Sequence, residues 1–217
     1  MKKIDEVFAY ALPKPKEERE SWFEARRGKF TASRLDDLMK TGRGKDERFG
    51  QAAIKYIYEI IHAKLTGQDH QVTSASLEWG IDNESDARIL YENKTGRVVK
   101  YPSFIEFNSF SGGTPDGITD DGGIIEIKCP FNGANHIQCV LENEVPKQYE
   151  FQVQGNLLFT GAKYCDFISY DPRCEDPLNI QIIRVEPDKE VHELIRSRLE
   201  EAREKMIEML AELKERS

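Results

Sequence analysis

The stretch TPDGITDDGGIIEIK, Thr114 to Lys128, constrains the fold of this chain more than any other. Asp116 follows a proline and precedes a glycine, which places it where a strand bends. Ile124, Ile125 and Ile127 read as a buried strand, with Glu126 and Lys128 in the same run. Alternate strand residues share a face, so Glu126 and Lys128 point the same way. The turn chemistry of Thr119-Asp120-Asp121-Gly122-Gly123 predicts a hairpin that folds Asp116 back beside Glu126. Two carboxylates then converge where a hard divalent cation can sit, with an ammonium one side-chain spacing away. That layout suits metal-assisted hydrolysis of a phosphodiester. A plainer reading exists, since Asp-Gly is a common turn dipeptide and Glu-x-Lys an ordinary decoration of a solvated strand. Against it, these charges interrupt an isoleucine-rich strand, where an unpaired charge is costly.

A chain of 217 residues, 39% apolar and 32% charged, is expected to form one soluble globular domain. Its expected parts are a lead-in at 1–16, a helical and relatively basic part at 17–70, a core at 71–186 and a C-terminal helix at 187–217. No apolar run approaches the roughly 18 residues of a membrane span, and MKKIDEVFAY lacks the apolar core of a signal peptide. The expectation is a protein of the cytoplasm with no membrane partner. Cys129, Cys139, Cys165 and Cys174 show no CxxC pair, and His62, His70, His136 and His192 are scattered, so reduced thiols are expected and the histidines receive no chemistry. The net charge of −8 argues against a protein that coats nucleic acid over its whole surface. Residues 1–70 nevertheless carry 15 Lys and Arg against 12 Asp and Glu, and residues 71–217 carry 16 against 27. Any phosphate contacts should therefore come from the N-terminal part.

In chain order, a helix is expected over Glu17 to Arg27, with Trp22, Phe23 and Arg26 near one face. Ser33 with Asp36 resembles a capping box for a helix from Arg34 to Lys40. Thr41-Gly42-Arg43-Gly44-Lys45 lacks the GxxxxGK[ST] pattern, and stands as either a solvated turn or a phosphate-contacting loop. Helices follow at Gly50 to Leu65, with Ile54, Ile57, Tyr58 and Ile61 as its apolar stripe, and at Ser76 to Asn93. Strands are expected at Val98 to Tyr101, Phe104 to Asn108 and Gly123 to Lys128. A helix from Lys147 to Phe159 precedes strands at Tyr164 to Tyr170 and Asn179 to Val185. Lys189 to Arg216 reads as one long helix with Val191, Ile195, Leu199, Ala202, Met206 and Leu210 on its packing face.

A cation holding a phosphodiester needs further oxygen ligands. Glu84, on the helix before the sheet, is a candidate, although spacing alone does not prefer it to Glu78 or Asp82. Glu84, then Pro115-Asp116, then Glu126-Ile127-Lys128 resembles the PD-(D/E)xK nuclease signature. The fuller set is Ala25-Arg26-Arg27-Gly28-Lys29-Phe30-Thr31-Ala32-Ser33, Glu78-Trp79-Gly80, Thr114-Pro115-Asp116-Gly117, Glu126-Ile127-Lys128-Cys129-Pro130 and Gln152-Val153-Gln154. Together these are similar to the lambda-exonuclease-like branch, the YqaJ-type viral recombinases. The similarity runs from about Trp22 to Arg173 and includes Tyr170-Asp171-Pro172-Arg173.

The resemblance implies an α/β fold with a PD-(D/E)xK restriction-endonuclease-like core, a mixed central sheet flanked by helices and a long C-terminal helix. It implies a Mg²⁺-dependent 5′-to-3′ exonuclease on double-stranded DNA ends, with two ions that Mn²⁺ can replace. The assembly implied is a ring-shaped homotrimer working beside a single-strand-annealing protein. Asp116, Glu126 and the Ile127 carbonyl would be metal ligands, and Glu84 would complete the set. Lys128 would orient and help deprotonate the attacking water, and Gln152 would position that water or Lys128. Arg26 and Ser33 match positions that bind the terminal 5′-phosphate, and Thr114 replaces a serine there while keeping the hydroxyl. Independently of the resemblance, the planar guanidinium of Arg26 suits a phosphate, and Arg27, Lys29 and Arg34 lie in the same net-positive part; without the Thr-Ala-Ser context a helix-surface ion pair is the preferred reading of Arg26. Leu77 stands where an apolar side chain could wedge between bases, although a core leucine is the commoner explanation for it. Rival readings are a structure-selective endonuclease or helicase-associated nuclease of the same fold, a silent DNA-end-binding scaffold, and an interaction module on the C-terminal helix.

Overall fold

The computed structural model describes residues 16–42, 44, 48–69 and 74–216. The expected lead-in therefore lies outside the described residues apart from Lys16, and so do Arg43 and Lys45 of the glycine-rich basic segment.

Helix α1 (Lys16–Arg26) leads into a two-residue strand β1 (Phe30–Thr31), a 3₁₀ turn (Ala32–Arg34) and a short helix α2 (Leu35–Met39). Helices α3 (Gln51–Thr66) and α4 (Ala75–Thr95) each end at a glycine, Gly67 and Gly96, with φ 70°. A side chain at those positions would be strained, which is why glycine ends both helices. Strands β2 (Val99–Lys100), β3 (Ile105–Asn108), β4 (Ser111–Gly113), β5 (Gly117–Thr119) and β6 (Ile124–Lys128) follow. Helices α5 (Gly133–Glu142) and α6 (Lys147–Thr160) cross over to β7 (Cys165–Tyr170) and β8 (Ile180–Val185), and α7 (Lys189–Glu215) closes the order.

The strands form the expected mixed central sheet, five-stranded in the order β2-β5-β6-β7-β8, and beside it a three-stranded sheet β1-β4-β3. Pro115, which has no N–H to give to a ladder, lies between β4 and β5, and the chain changes sheet there. The hairpin is as expected, with Gly117 opposite Ile125 and Ile118 opposite Ile124. Strand β6 then pairs in parallel with β7, Glu126 opposite Phe167.

The two faces of β6 are packed by different helices. Ile125 and Ile127 bury against Ala87 and Tyr91 of α4, while Ile124 packs with Val153 and Leu157 of α6. Glu126 shares the Ile124 face, so period-2 alternation puts it beneath α6. A further core joins α2, α3, α6 and α7 through Leu35, Leu38, Ile57, Leu158, Ile195 and Leu199.

Several local expectations are corrected. Tyr58 is 56% exposed; the buried face of α3 is Ala53, Tyr56, Ile57, Ile60 and Ile61, a regular i, i+3, i+4, i+7, i+8 series. Ser33 does not cap α2, whose first turn has no side-chain cap; its hydroxyl lies 3.2 Å from Thr31 Oγ1 instead. Helix α5 was not anticipated; Asn132 caps it by accepting from the Ala134 N–H at 3.1 Å. The cysteines are free thiols, with Cys129, Cys139 and Cys165 buried. Among the described residues no helix is long and apolar enough to cross a membrane.

Candidate active site

Strand β6 supplies the centre of a cleft of about 680 Å³. Glu126 is 1% exposed, and its two oxygens are held differently. Oε1 accepts from Lys128 Nζ at 2.7 Å and from Gln152 Nε2. Oε2 accepts from Asn156 Nδ2 at 2.9 Å. Gln152 and Asn156 are one turn apart on α6, so a single helix face delivers both amides. Lys128 also lies over the Tyr149 ring, 5.1 Å from its centroid.

Asp116 stands where the β5–β6 ladder stops. Its N–H donates to the Ile125 carbonyl at 3.1 Å, and its Oδ2 accepts from the Ile127 N–H at 2.6 Å. A side-chain carboxylate thus continues the ladder past Pro115 and is fixed to the strand that carries Glu126 and Lys128. Glu84 enters from α4 and has no hydrogen bond or ion pair with another described residue. Burial, reinforced by the charge of Glu126, pushes its carboxyl up to about 7. Asp116 is raised well above the ordinary carboxylate value, by burial first and then by Glu126 and Glu84. For Lys128 burial acts downward, but Glu126 and Asp116 outweigh it and raise the ammonium.

These are oxygen donors crowded into more negative charge than one ammonium relieves, which suits a hard divalent cation such as Mg²⁺. As the side chains stand, no three His, Cys, Asp or Glu among the described residues are grouped to hold an ion. Lys128 occupies the cleft-side oxygen of Glu126 in this arrangement. The donor chemistry fits the ion; the spacing is that of a site in which Lys128 supplies the positive charge.

The same cleft extends to the N-terminal part of the chain. Arg26, Ser33 and Thr114 line it, as do Leu77, Glu84, Asp116, Glu126, Ile127, Lys128 and Gln152. All ten residues singled out in the sequence therefore face one space. Trp22 holds the Arg26 end together: its Nε1–H donates to Thr114 Oγ1 at 2.9 Å, and the Arg26 guanidinium lies 4.6 Å from its ring centroid. Burial lowers the Arg26 pKa, and no carboxylate among the described residues pairs with it. A half-buried guanidinium that no described carboxylate bonds, beside two hydroxyls, is a ready anion partner. Leu77 is 36% exposed on the cleft wall, which removes the core-leucine explanation for it.

The sequence did not single out Asn156, Thr31 or Tyr56. Tyr56 is buried beneath the Arg26 end, where its hydroxyl accepts from the Thr31 N–H at 2.8 Å. A signal for Asn156 exists in the spacing, one turn beyond Gln152. Gln154, between them, serves structure: its amide bonds the Glu186 carbonyl and the Asp188 N–H, both at 3.0 Å, where the chain enters α7. Arg173, in the Tyr170-Asp171-Pro172-Arg173 segment, likewise ties loops together, pairing with Asp171 at 2.7 Å and donating to the carbonyls of Pro130 and Phe131. His136 is buried between Ser169 Oγ and the Leu178 carbonyl and does not line the cleft.

Residues 21–163 match the YqaJ-like viral recombinase domain. Among solved structures, the alkaline exonuclease LHK-Exo of Laribacter hongkongensis is similar over 91% of this chain and 97% of its own, at 32% identity and TM-score 0.82. The same enzyme in complex with dAMP matches equally well. A phage-related exonuclease from Haemophilus somnus 129PT shares the fold, at 15% identity and TM-score 0.69 over 88% of this chain and 99% of its own. The search of curated proteins finds no match.

Proposed function

The chain belongs to the family of YqaJ-like viral recombinases, and from that premise we propose that it is a Mg²⁺-dependent exonuclease that degrades the 5′-phosphorylated strand of linear duplex DNA. The observation that carries the proposal is the single cleft shared by a carboxylate–lysine cluster and an arginine with neighbouring hydroxyls. The LHK-Exo relative is named an alkaline exonuclease, which supports nuclease chemistry at this cleft.

Each residue has a role that its position allows. Arg26, Ser33 and Thr114 bind the terminal 5′-phosphate, with Trp22 fixing the Arg26–Thr114 spacing. Leu77 borders the path by which a duplex end enters. Asp116, Glu126, the Ile127 carbonyl and Glu84 would hold Mg²⁺, or Mn²⁺ in its place. When bound, the ion would polarise the phosphate and lower the pKa of a water. Lys128, released from Glu126 and having lost its proton to solvent, would orient that water and take up its proton, and the ammonium so formed would neutralise charge developing on the phosphate. Gln152, already on Glu126 Oε1, holds the geometry that Lys128 leaves. The 3′ strand left behind would serve a single-strand-annealing partner. A homotrimeric ring would hold DNA inside an acidic protein by topology.

Digestion of linear duplex DNA with Mg²⁺, comparing 5′-phosphate, 5′-hydroxyl and covalently closed ends, tests the proposal. Degradation of open ends only, 5′-phosphate ends fastest, supports it. Equal cutting of closed circles would replace it with an endonuclease of the same fold, and a monomer in sedimentation would remove the ring.

A further inference from the structure

We infer that Asn156 is a positioning residue for Glu126, holding the carboxylate from the core side so that Oε1 is presented to the cleft. The inference rests on the nuclease reading above. Lys128 and Gln152 line the cleft and both meet Oε1, whereas Asn156 does not line it and meets Oε2. The two oxygens therefore face opposite ways. The last torsion of a glutamate has a broad well, so without a donor on Oε2 the carboxylate plane is free to turn.

The cost of keeping an amide at this position points the same way. Asn156 is 1% exposed, and its Oδ1 is buried with no hydrogen-bond partner. A buried acceptor left unpaired is destabilising, and an apolar side chain of similar shape avoids the loss. Packing alone thus gives no reason for an asparagine; the N–H delivered to Glu126 does. The chain also makes room for it, since a Cβ at Gly113 would lie 2.5 Å from Asn156 Oδ1 and 3.1 Å from the Ala32 Cβ. Among the Glu126 partners, Asn156 contacts the reacting region only through the carboxylate, so its effect is on orientation.

The test compares wild type, Asn156→Leu and Asn156→Asp. Calorimetry measures Mn²⁺ binding to metal-stripped protein without DNA, and steady-state kinetics are run on 5′-phosphorylated duplex. Loss of a group that orients a ligand commonly costs about 10–100-fold. Asn156→Leu should therefore weaken Mn²⁺ binding and lower kcat by that factor, while KM for DNA and the preference for 5′-phosphate ends stay at wild-type values and the Tm falls, because Glu126 Oε2 loses its donor. Asn156→Asp, whose carboxyl is kept protonated by the neighbouring Glu126 and can still donate to Oε2, should retain more Mn²⁺ affinity than Asn156→Leu. Wild-type Mn²⁺ affinity and kcat in Asn156→Leu overturn the inference alone. A wild-type protein that binds no Mn²⁺ overturns the nuclease reading and this inference with it. Should both variants fail to fold, the side-chain amide protons of Asn156 in the wild type decide. Exchange protection that Glu126→Gln alters supports the contact, and free exchange overturns it.

Discussion

The Lys128 ammonium stands 2.7 Å from Glu126 Oε1, two positions away on the same strand. The Glu126 carboxylate is thereby paired with the residue that is proposed to act on the attacking water. Lys128 and a divalent cation compete for one oxygen, which separates two effects of a single substitution. Lys128→Ala should lower kcat by about 10²–10⁴-fold, the usual worth of a positioned acid or base, yet bind Mn²⁺ at least as tightly as wild type. Single-turnover cleavage and calorimetry on the same preparation measure both.

Glu84 makes the metal-free protein sensitive to pH. Its carboxyl is raised from 4.5 to about 7 in the fold, so the folded state binds the proton more tightly than the unfolded chain. That stabilisation is fully present below about 4.5 and is lost as pH rises through about 7. In EDTA the Tm should therefore fall between about pH 6 and pH 8, and Glu84→Gln should flatten the fall and raise the Tm at the higher pH. Thermal melts of both proteins at the two pH values check the sign.

Added Mg²⁺ should raise the Tm of the wild type, since a ligand of the folded state alone stabilises it by mass action. The increase should be larger at about pH 8 than at about pH 6, because protons and the cation compete for the same carboxylates. Equal increases would place the ion elsewhere.

Arg26→Ala should remove end discrimination. The ratio of cleavage rates on 5′-phosphate and 5′-hydroxyl ends should drop by roughly tenfold or more, the worth of a charge-assisted contact, with 5′-hydroxyl ends cut as by wild type. Trp22→Phe should produce a smaller loss in the same direction, since it removes the 2.9 Å bond to Thr114 and keeps a ring under Arg26.

Asp166 should matter for stability only. It accepts from Tyr91 at 2.7 Å and from Arg184 at 2.8 and 2.9 Å, on the face of the sheet turned away from the cleft. Asp166→Ala leaves the buried Tyr91 hydroxyl without its acceptor, at a cost on the order of 1–3 kcal/mol. Urea denaturation should show that loss with kcat unchanged.

The sequence by itself determined what local chemistry decides. Turn residues between Thr119 and Gly123 folded Asp116 against β6, alternation put Glu126 and Lys128 on one face, and glycines ended α3 and α4. Motif order brought ten residues into the reading, and all ten line one cleft. Tertiary structure decided what depends on distant partners. Ser111-Gly112-Gly113 has no strand propensity of its own, and becomes β4 because Phe30–Thr31 lies beside it in register. Whether Ser33 caps a helix or turns to Thr31, and whether Leu77 is core or cleft wall, follows from how separate elements dock. The role of Asn156 is of the same kind. Its spacing from Gln152 is local, but the burial that makes its amide costly, and the carboxylate that gives the amide a use, come together only when α6 packs on β6.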